Sequence, residues 1–133
     1  MTLMEKDKYI KPEYPESEFT SKLIRFVYDI YDELSYGLPE RIYQKAFESL
    51  LNENNIGYSR EKYGKIVFNN EIIGKYYIDF VIENKIAVEF KVRNEIYQKD
   101  INQLLNYLKS ENLKLGLVIA LTKDGPILKR VAN

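Results

Sequence analysis

Residues 115–121 read Leu-Gly-Leu-Val-Ile-Ala-Leu, an apolar run with no polar alternation. At that length it reads as a strand covered on both faces. Just before it, Ile101, Leu104, Leu105 and Leu108 recur at helical spacing over residues 98–111. Earlier still, residues 85–92 set Ile86, Val88, Phe90 and Val92 against Ala87, Glu89 and Lys91 in strict alternation, the mark of a strand. A strand, a helix and a doubly covered strand in succession form a crossover unit, expected to be right-handed. Such a unit needs helices packed on the sheet, and this requirement sets the fold class.

The rest of the pattern agrees. From about Ser17, the residues Leu23, Ile24, Val27, Ile30, Tyr31 and Leu34 form one helical stripe. Gly37 suits the left-handed position that closes such a helix, and Pro39 suits the start of the next. Ile42, Tyr43, Ala46, Phe47, Leu50 and Leu51 give that second helix its core face. The period then changes to that of strands over residues 58–68 and 71–82, joined at Asn69-Asn70, where asparagine tolerates positive φ. Glu83-Asn84 makes a second tight turn. Residues 122–126 read as a turn, and residues 127–131 as a short edge strand. Pro12 and Pro15 break the polar stretch over residues 1–16, which reads as a loose arm. The expectation is an α/β fold, with a mixed central sheet flanked by helices, formed by one domain over residues 17–133.

Composition narrows the chemistry. The chain has neither cysteine nor histidine. Thiol nucleophiles, Ser-His-Asp relays, haem ligation and Cys/His zinc sites are therefore excluded. Catalysis would run on carboxylates, lysines, tyrosines, backbone groups or a hard cation held by oxygen. The 20 basic and 20 acidic residues cancel, but unevenly. Residues 1–56 hold 7 basic and 11 acidic groups, whereas residues 57–133 hold 13 and 9. A neutral total therefore leaves room for a basic face in the second part. No apolar run is long enough to span a bilayer, and the charged opening Met1-Thr2-Leu3-Met4-Glu5-Lys6-Asp7-Lys8 is unlike a signal peptide, so the expectation is a cytoplasmic protein without membrane contact.

Three polar residues sit where a plain core would not place them. Asp79 interrupts the apolar segment Tyr76-Tyr77-Ile78-Asp79-Phe80-Val81-Ile82. A carboxylate there must be hydrogen-bonded, paired with a lysine on an exposed face, or bound to a cation. Glu89 and Lys91, two apart on a strand, share a face while Phe90 points the other way. A turn at Glu83-Asn84 brings Asp79 near the opposing strand, so two carboxylates and an ammonium can converge. Two carboxylates and the Phe90 carbonyl supply oxygen ligands suited to Mg²⁺ or Mn²⁺. Such an ion lowers the pKa of a bound water and neutralises phosphate charge, and Lys91 could position the water or stabilise the developing charge. Glu40, in the first turn of the second helix, needs no function beyond the helix dipole. Gln103 and Tyr107 share a face with Lys99 beside the apolar stripe, a face that solvent alone could explain.

These residues together resemble a known pattern. Gly37-Leu38-Pro39-Glu40-Arg41-Ile42-Tyr43 is similar to the signature of the GxxExxY protein family. Asp79, Glu89-Phe90-Lys91 and Gln103-Leu104-Leu105-Asn106-Tyr107 resemble the D…ExK…QxxxY pattern of PD-(D/E)XK nucleases. Ile78 stands where the superfamily's name has proline, and Phe90 where relatives often have leucine. The resemblance implies a restriction-endonuclease-like αβββαβ core over about residues 18–131. It implies metal ligation by Asp79, Glu89 and the Phe90 carbonyl, with Glu40 adding a carboxylate directly or through water. Lys91 would be the catalytic lysine, and Gln103 and Tyr107 would orient it or touch the phosphate backbone. The implied activity is metal-dependent hydrolysis of phosphodiester bonds in DNA, with RNA as the other candidate substrate. Lys65, Lys75, Arg93, Lys99 and Lys109 are candidate phosphate contacts. So small a domain cannot surround a duplex alone, hence the expectation of a homodimer or protein partner. Two other readings remain: a catalytically silent nuclease-fold binding module, and an interaction domain using tyrosine-rich faces.

Overall fold

The computed structural model of the chain describes residues 16–133. The expected arm over residues 1–16 lies, but for Glu16, outside them. Helix α1 spans Ser17–Leu34 and buries Leu23, Ile24, Val27 and Ile30 on one stripe. It ends earlier than Gly37, because Ser35 leaves the helical region with a positive φ (59°, ψ −168°) while its N–H still reaches the Tyr31 carbonyl. Gly37, at φ 110°, serves instead in the connecting loop. Helix α2, Glu40–Glu53, starts directly after Pro39. The fully buried Tyr43 ties the loop together: its hydroxyl donates to the Ser35 carbonyl at 2.6 Å and accepts the Leu38 N–H at 3.1 Å. The loop that delivers Glu40 is thus fixed by the tyrosine three residues later.

Five strands form one sheet in chain order. Strands β1 (Tyr58–Phe68) and β2 (Glu71–Ile82) are antiparallel, and the turn between them places Asn69 and Asn70 at φ 56° and 65°, as the asparagine pair predicts. Strand β3 (Ile86–Val92) pairs with β2 only through Phe80–Val88, Val81–Ala87 and Ile82–Ile86. Helix α3 (Gln98–Glu111) then carries the chain to β4 (Leu115–Thr122), parallel to β3 and buried throughout its length. Strand β5, Gly125–Ala132, pairs antiparallel along all of β4 and is longer than the expected 127–131. Gly125, at φ 121°, lets the chain reverse over Lys123 and Asp124 alone. Pro126 is tolerated because β5 is an edge strand.

Apolar side chains cover both faces of the sheet. On one face Phe80, Val88, Phe90, Leu117 and Ile119 pack against α1 and α2, with Phe47 edge-on to Phe80 and Phe90. On the other, Val81, Ala87 and Val118 meet Leu104 and Leu108 of α3. Along β2 the even-numbered residues change faces: Tyr76 and Ile78 lie with α3, but Phe80 and Ile82 lie with α2. The change occurs at Asp79. Its counterpart on β1, Glu61, has φ 47° and is skipped in the register between Arg60–Phe80 and Lys62–Ile78. A left-handed residue inside a strand rotates the pair locally. The outer part of the hairpin therefore swings over α3, and Asp79 stands at the hinge between its two parts.

Candidate active site

The β2–β3 ladder stops at Phe80–Val88, and the next opposed positions are Asp79 and Glu89. Their carboxylates occupy the place of the missing ladder. Asp79 Oδ2 accepts the Phe90 N–H at 2.8 Å, and Glu89 Oε1 accepts the Asp79 N–H at 3.1 Å. Asp79 is half-buried and Glu89 is only 8 % exposed. Burial raises the Glu89 pKa strongly, and the neighbouring Asp79 charge raises it further, against the opposing pull of the Asp79 N–H and Lys91. A buried pair of carboxylates without a cation must hold a proton to offset its charge.

Lys91 extends from the same strand face as Glu89, since β3 continues in full pairing with β4 through Lys91–Ala120 and Val92–Leu121. Among the described residues it has no ion-pair or hydrogen-bond partner, and it lines a cavity of about 290 Å³ with Arg93, Lys99, Asp100 and Gln103. Glu40 approaches from the start of α2. Its pKa is raised by burial first and then by Asp79, while Lys91 and Arg93 oppose the shift. Its hydrogen-bond partner is Gln44, at 3.1 Å. Glu40 thus feels the charges of the site without touching the carboxylate pair.

Helix α3 closes the other side. Tyr107 is half-buried, and its hydroxyl pKa is raised by burial, then by the charges of Glu89 and Asp79, with Gln103 as a hydrogen-bond partner pulling it down. The helix is anchored at its start by Asp100, 6 % exposed, which accepts the Tyr97 N–H at 2.9 Å and pairs with Arg93. Burial pushes Asp100 up, but the Arg93 and Tyr97 hydrogen bonds outweigh it and hold the carboxyl below its ordinary value. Arg93 is therefore an internal partner of α3, not a freely available phosphate contact. This pair is not evident in the sequence, and its signal is a carboxylate in the first helical turn seven residues after an arginine. The role of Tyr76 is likewise not evident in the sequence. Its ring stacks on Tyr107 with centroids 4.5 Å apart, and its hydroxyl donates to Glu111 at 2.6 Å.

The structure thus brings Asp79, Glu89, Lys91, Gln103 and Tyr107 to one end of the sheet, with Glu40 at its margin. Among the described residues no three acidic side chains gather closely enough to enclose a metal ion. A divalent cation still fits the donor set. Two opposed carboxylates in a gap of the ladder offer hard oxygens and excess negative charge, and Mg²⁺ commonly takes only one or two carboxylates and keeps several waters. Of the other basic candidates, Lys75 and Lys99 line a cleft beside α3. Lys65 lies opposite Lys75 on β1, and Lys109 is exposed in the last turn of α3.

The chain matches the family model of the PD-(D/E)XK nuclease superfamily over residues 17–131. No curated protein matches it significantly. Among solved structures, that of SSO0001 is similar in fold, with a TM-score of 0.57 and 22 % sequence identity. The alignment covers 97 % of this chain and 62 % of that one, so this chain spans less than two thirds of that protein's length.

Proposed function

The chain belongs to the PD-(D/E)XK nuclease superfamily, and from that premise we propose that it is a metal-dependent nuclease of the GxxExxY branch, hydrolysing phosphodiester bonds of DNA. The observation that carries this reading is the opposed pair Asp79–Glu89, standing where the β2–β3 ladder ends, with Lys91 on the same strand face. Asp79, Glu89 and the Phe90 carbonyl would hold Mg²⁺ or Mn²⁺. The Phe90 N–H points to Asp79, and in extended backbone the carbonyl of the same residue lies along the same edge. The cation would supply charge neutralisation at a phosphate oxygen and a lower pKa for a bound water. Lys91 donates to the attacking water or to a non-bridging phosphate oxygen, stabilising charge that grows in the transition state. Gln103 and Tyr107 orient the lysine and the phosphate from α3. Glu40 acts at the margin through water.

The same reading treats residues 17–133 as one domain that works as a homodimer. Supporting self-association, the outer hairpin exposes Val67, Phe68, Ile72 and Ile73, an apolar surface that a lone soluble domain rarely leaves uncovered. The test is cleavage of plasmid, single-stranded and branched DNA, and of RNA, with Mg²⁺ or Mn²⁺ against EDTA, beside Lys91→Ala and Asp79→Asn. The expected result is metal-dependent cleavage lost in both variants. Cleavage surviving in both would refute the site. Nucleic-acid binding with no cleavage under any metal would favour the silent binding module.

A further inference from the structure

Because the hairpin swings at Asp79, its outer part and α3 enclose a cleft of about 430 Å³. The helix contributes Lys99, Asn102, Gln103 and Asn106 at three- and four-residue spacing, and the hairpin contributes Lys75 and Tyr76. No carboxylate lines it. The cleft shares Lys99 and Gln103 with the smaller cavity lined by Lys91, so the two adjoin. Tyr107, which also lines the cleft, feels the charges of Glu89 and Asp79. One end of the cleft therefore lies beside the candidate active site.

Its lining has a distinct chemistry. Three carboxamides offer donors and acceptors side by side, the pattern that matches the edge of a nucleobase. Asn106 has no hydrogen bond among the described residues, and Asn102 uses only its oxygen, accepting from Gln98 at 3.0 Å. Two lysines without carboxylates suit a phosphate, and the half-buried Tyr107, backed by the buried Tyr76 stacked on it, forms an aromatic wall. The volume fits a nucleotide-sized group. A base within a duplex could not enter, since its edge is paired and its faces are stacked.

We infer that this cleft is a subsite for one unpaired nucleotide beside the scissile phosphate, so that the substrate is DNA with a single-stranded segment at the cut. The inference rests on the nuclease reading for the identity of the neighbouring phosphate, but the binding it describes needs neither metal nor turnover.

The experiment uses a fluorescent single-stranded 12-mer and a duplex of the same sequence, with anisotropy measured in EDTA, for the full chain and for Asn102→Ala/Asn106→Ala. Both substitutions lie on an exposed helix face where alanine is a good helix former, so folding is kept and is checked by circular dichroism. The single strand should bind about tenfold more tightly than the duplex, and the double variant should lose about tenfold on the single strand alone. Equal affinity for the two forms, or unchanged single-strand binding in the double variant, would overturn the subsite. Parallel cleavage assays with Mn²⁺ separate the two claims. Variant-sensitive single-strand binding with no cleavage by the wild type would uphold the subsite and refute the nuclease reading. Equal cleavage of both forms by wild type and double variant would do the reverse.

Discussion

Asp79 and Glu89 are fastened across the open end of the β2–β3 pair, each carboxylate accepting a backbone N–H from the opposite strand: Asp79 that of Phe90, Glu89 that of Asp79 itself. The carboxylates thus replace two backbone ladder bonds. Shape and charge at this point are separable, because an amide side chain can still accept those hydrogen bonds. Asp79→Asn should therefore fold normally and abolish turnover. Asp79→Ala would also leave the Phe90 N–H unsatisfied, costing about 1–3 kcal/mol in chemical denaturation.

The charge at Glu89 should be visible as a pH dependence of stability. Its folded pKa is raised, to about 9, above the ordinary 4.5. A raised carboxyl contributes stability that is full below the ordinary value and is lost as pH rises through the folded one. The metal-free protein should therefore lose stability between about pH 5 and pH 9, at up to ~1.4 kcal/mol per pH unit for one proton. With no histidine or cysteine in the chain, few other groups titrate there. Glu89→Gln should flatten the slope and raise Tm at pH 8. A wild-type Tm that is level or rising across this range would contradict the assignment.

Lys91 has no ion pair among the described residues and is only half-buried. Lys91→Ala should leave Tm within a degree or two while lowering kcat about 10²–10³-fold, as loss of one transition-state donor does. Steady-state kinetics beside calorimetry would check both parts. A large fall in Tm would instead assign the lysine a structural role.

At the start of α3 the sign of the pH effect reverses. Asp100 is held below its ordinary 3.8, so its contribution is full above that value and is lost as pH falls through the lowered one. Asp100→Asn should destabilise the protein by about 1.5–3 kcal/mol at neutral pH, where the charge-assisted hydrogen bond with the half-buried Arg93 is lost. It should also reduce the loss of stability seen on acidification below pH 3.8. Urea titrations at pH 7 and pH 3 measure both.

Gly64 supports the aromatic wall of the cleft. A Cβ there would come within 2.0 Å of the Tyr76 ring, which cannot yield without leaving Tyr107. Gly64→Ala should cost about 1–3 kcal/mol through overpacking. In a Tyr76→Ala background the same substitution should cost little, and a double-mutant cycle reads the difference.

The sequence reveals those parts of the molecule that depend on local chemistry. The Asn69-Asn70 turn, the helical stripe ending near Leu108 and the unbroken run after Leu115 announce their elements, and therefore the mixed sheet, because each is a periodicity or a φ preference. The opposition of Asp79 and Glu89 is only nearly legible. Counting outward from a two-residue Glu83-Asn84 turn sets Asp79 against Val88, whereas the turn holds three residues, 83–85, and so shifts Asp79 to Glu89. The face change at Asp79 is not legible. It depends on a left-handed Glu61, an exposed residue with no local preference for that conformation. Arg93–Asp100 and Tyr76–Tyr107 are likewise products of how α3 lies on the sheet. Ser35 takes the helix-closing position expected of Gly37 because the Tyr43 hydroxyl fixes its carbonyl.

The central claim is that the gap between Asp79 and Glu89 holds a divalent cation. Isothermal titration of the purified protein with Mn²⁺ tests it most directly, beside Asp79→Asn and Glu89→Gln, both of which keep the shape of the side chain and remove its charge. The account predicts saturable binding in the wild type, with proton release as Glu89 gives up its proton, and loss of that heat in both variants. No heat in the wild type, or the same heat in all three proteins, would contradict it.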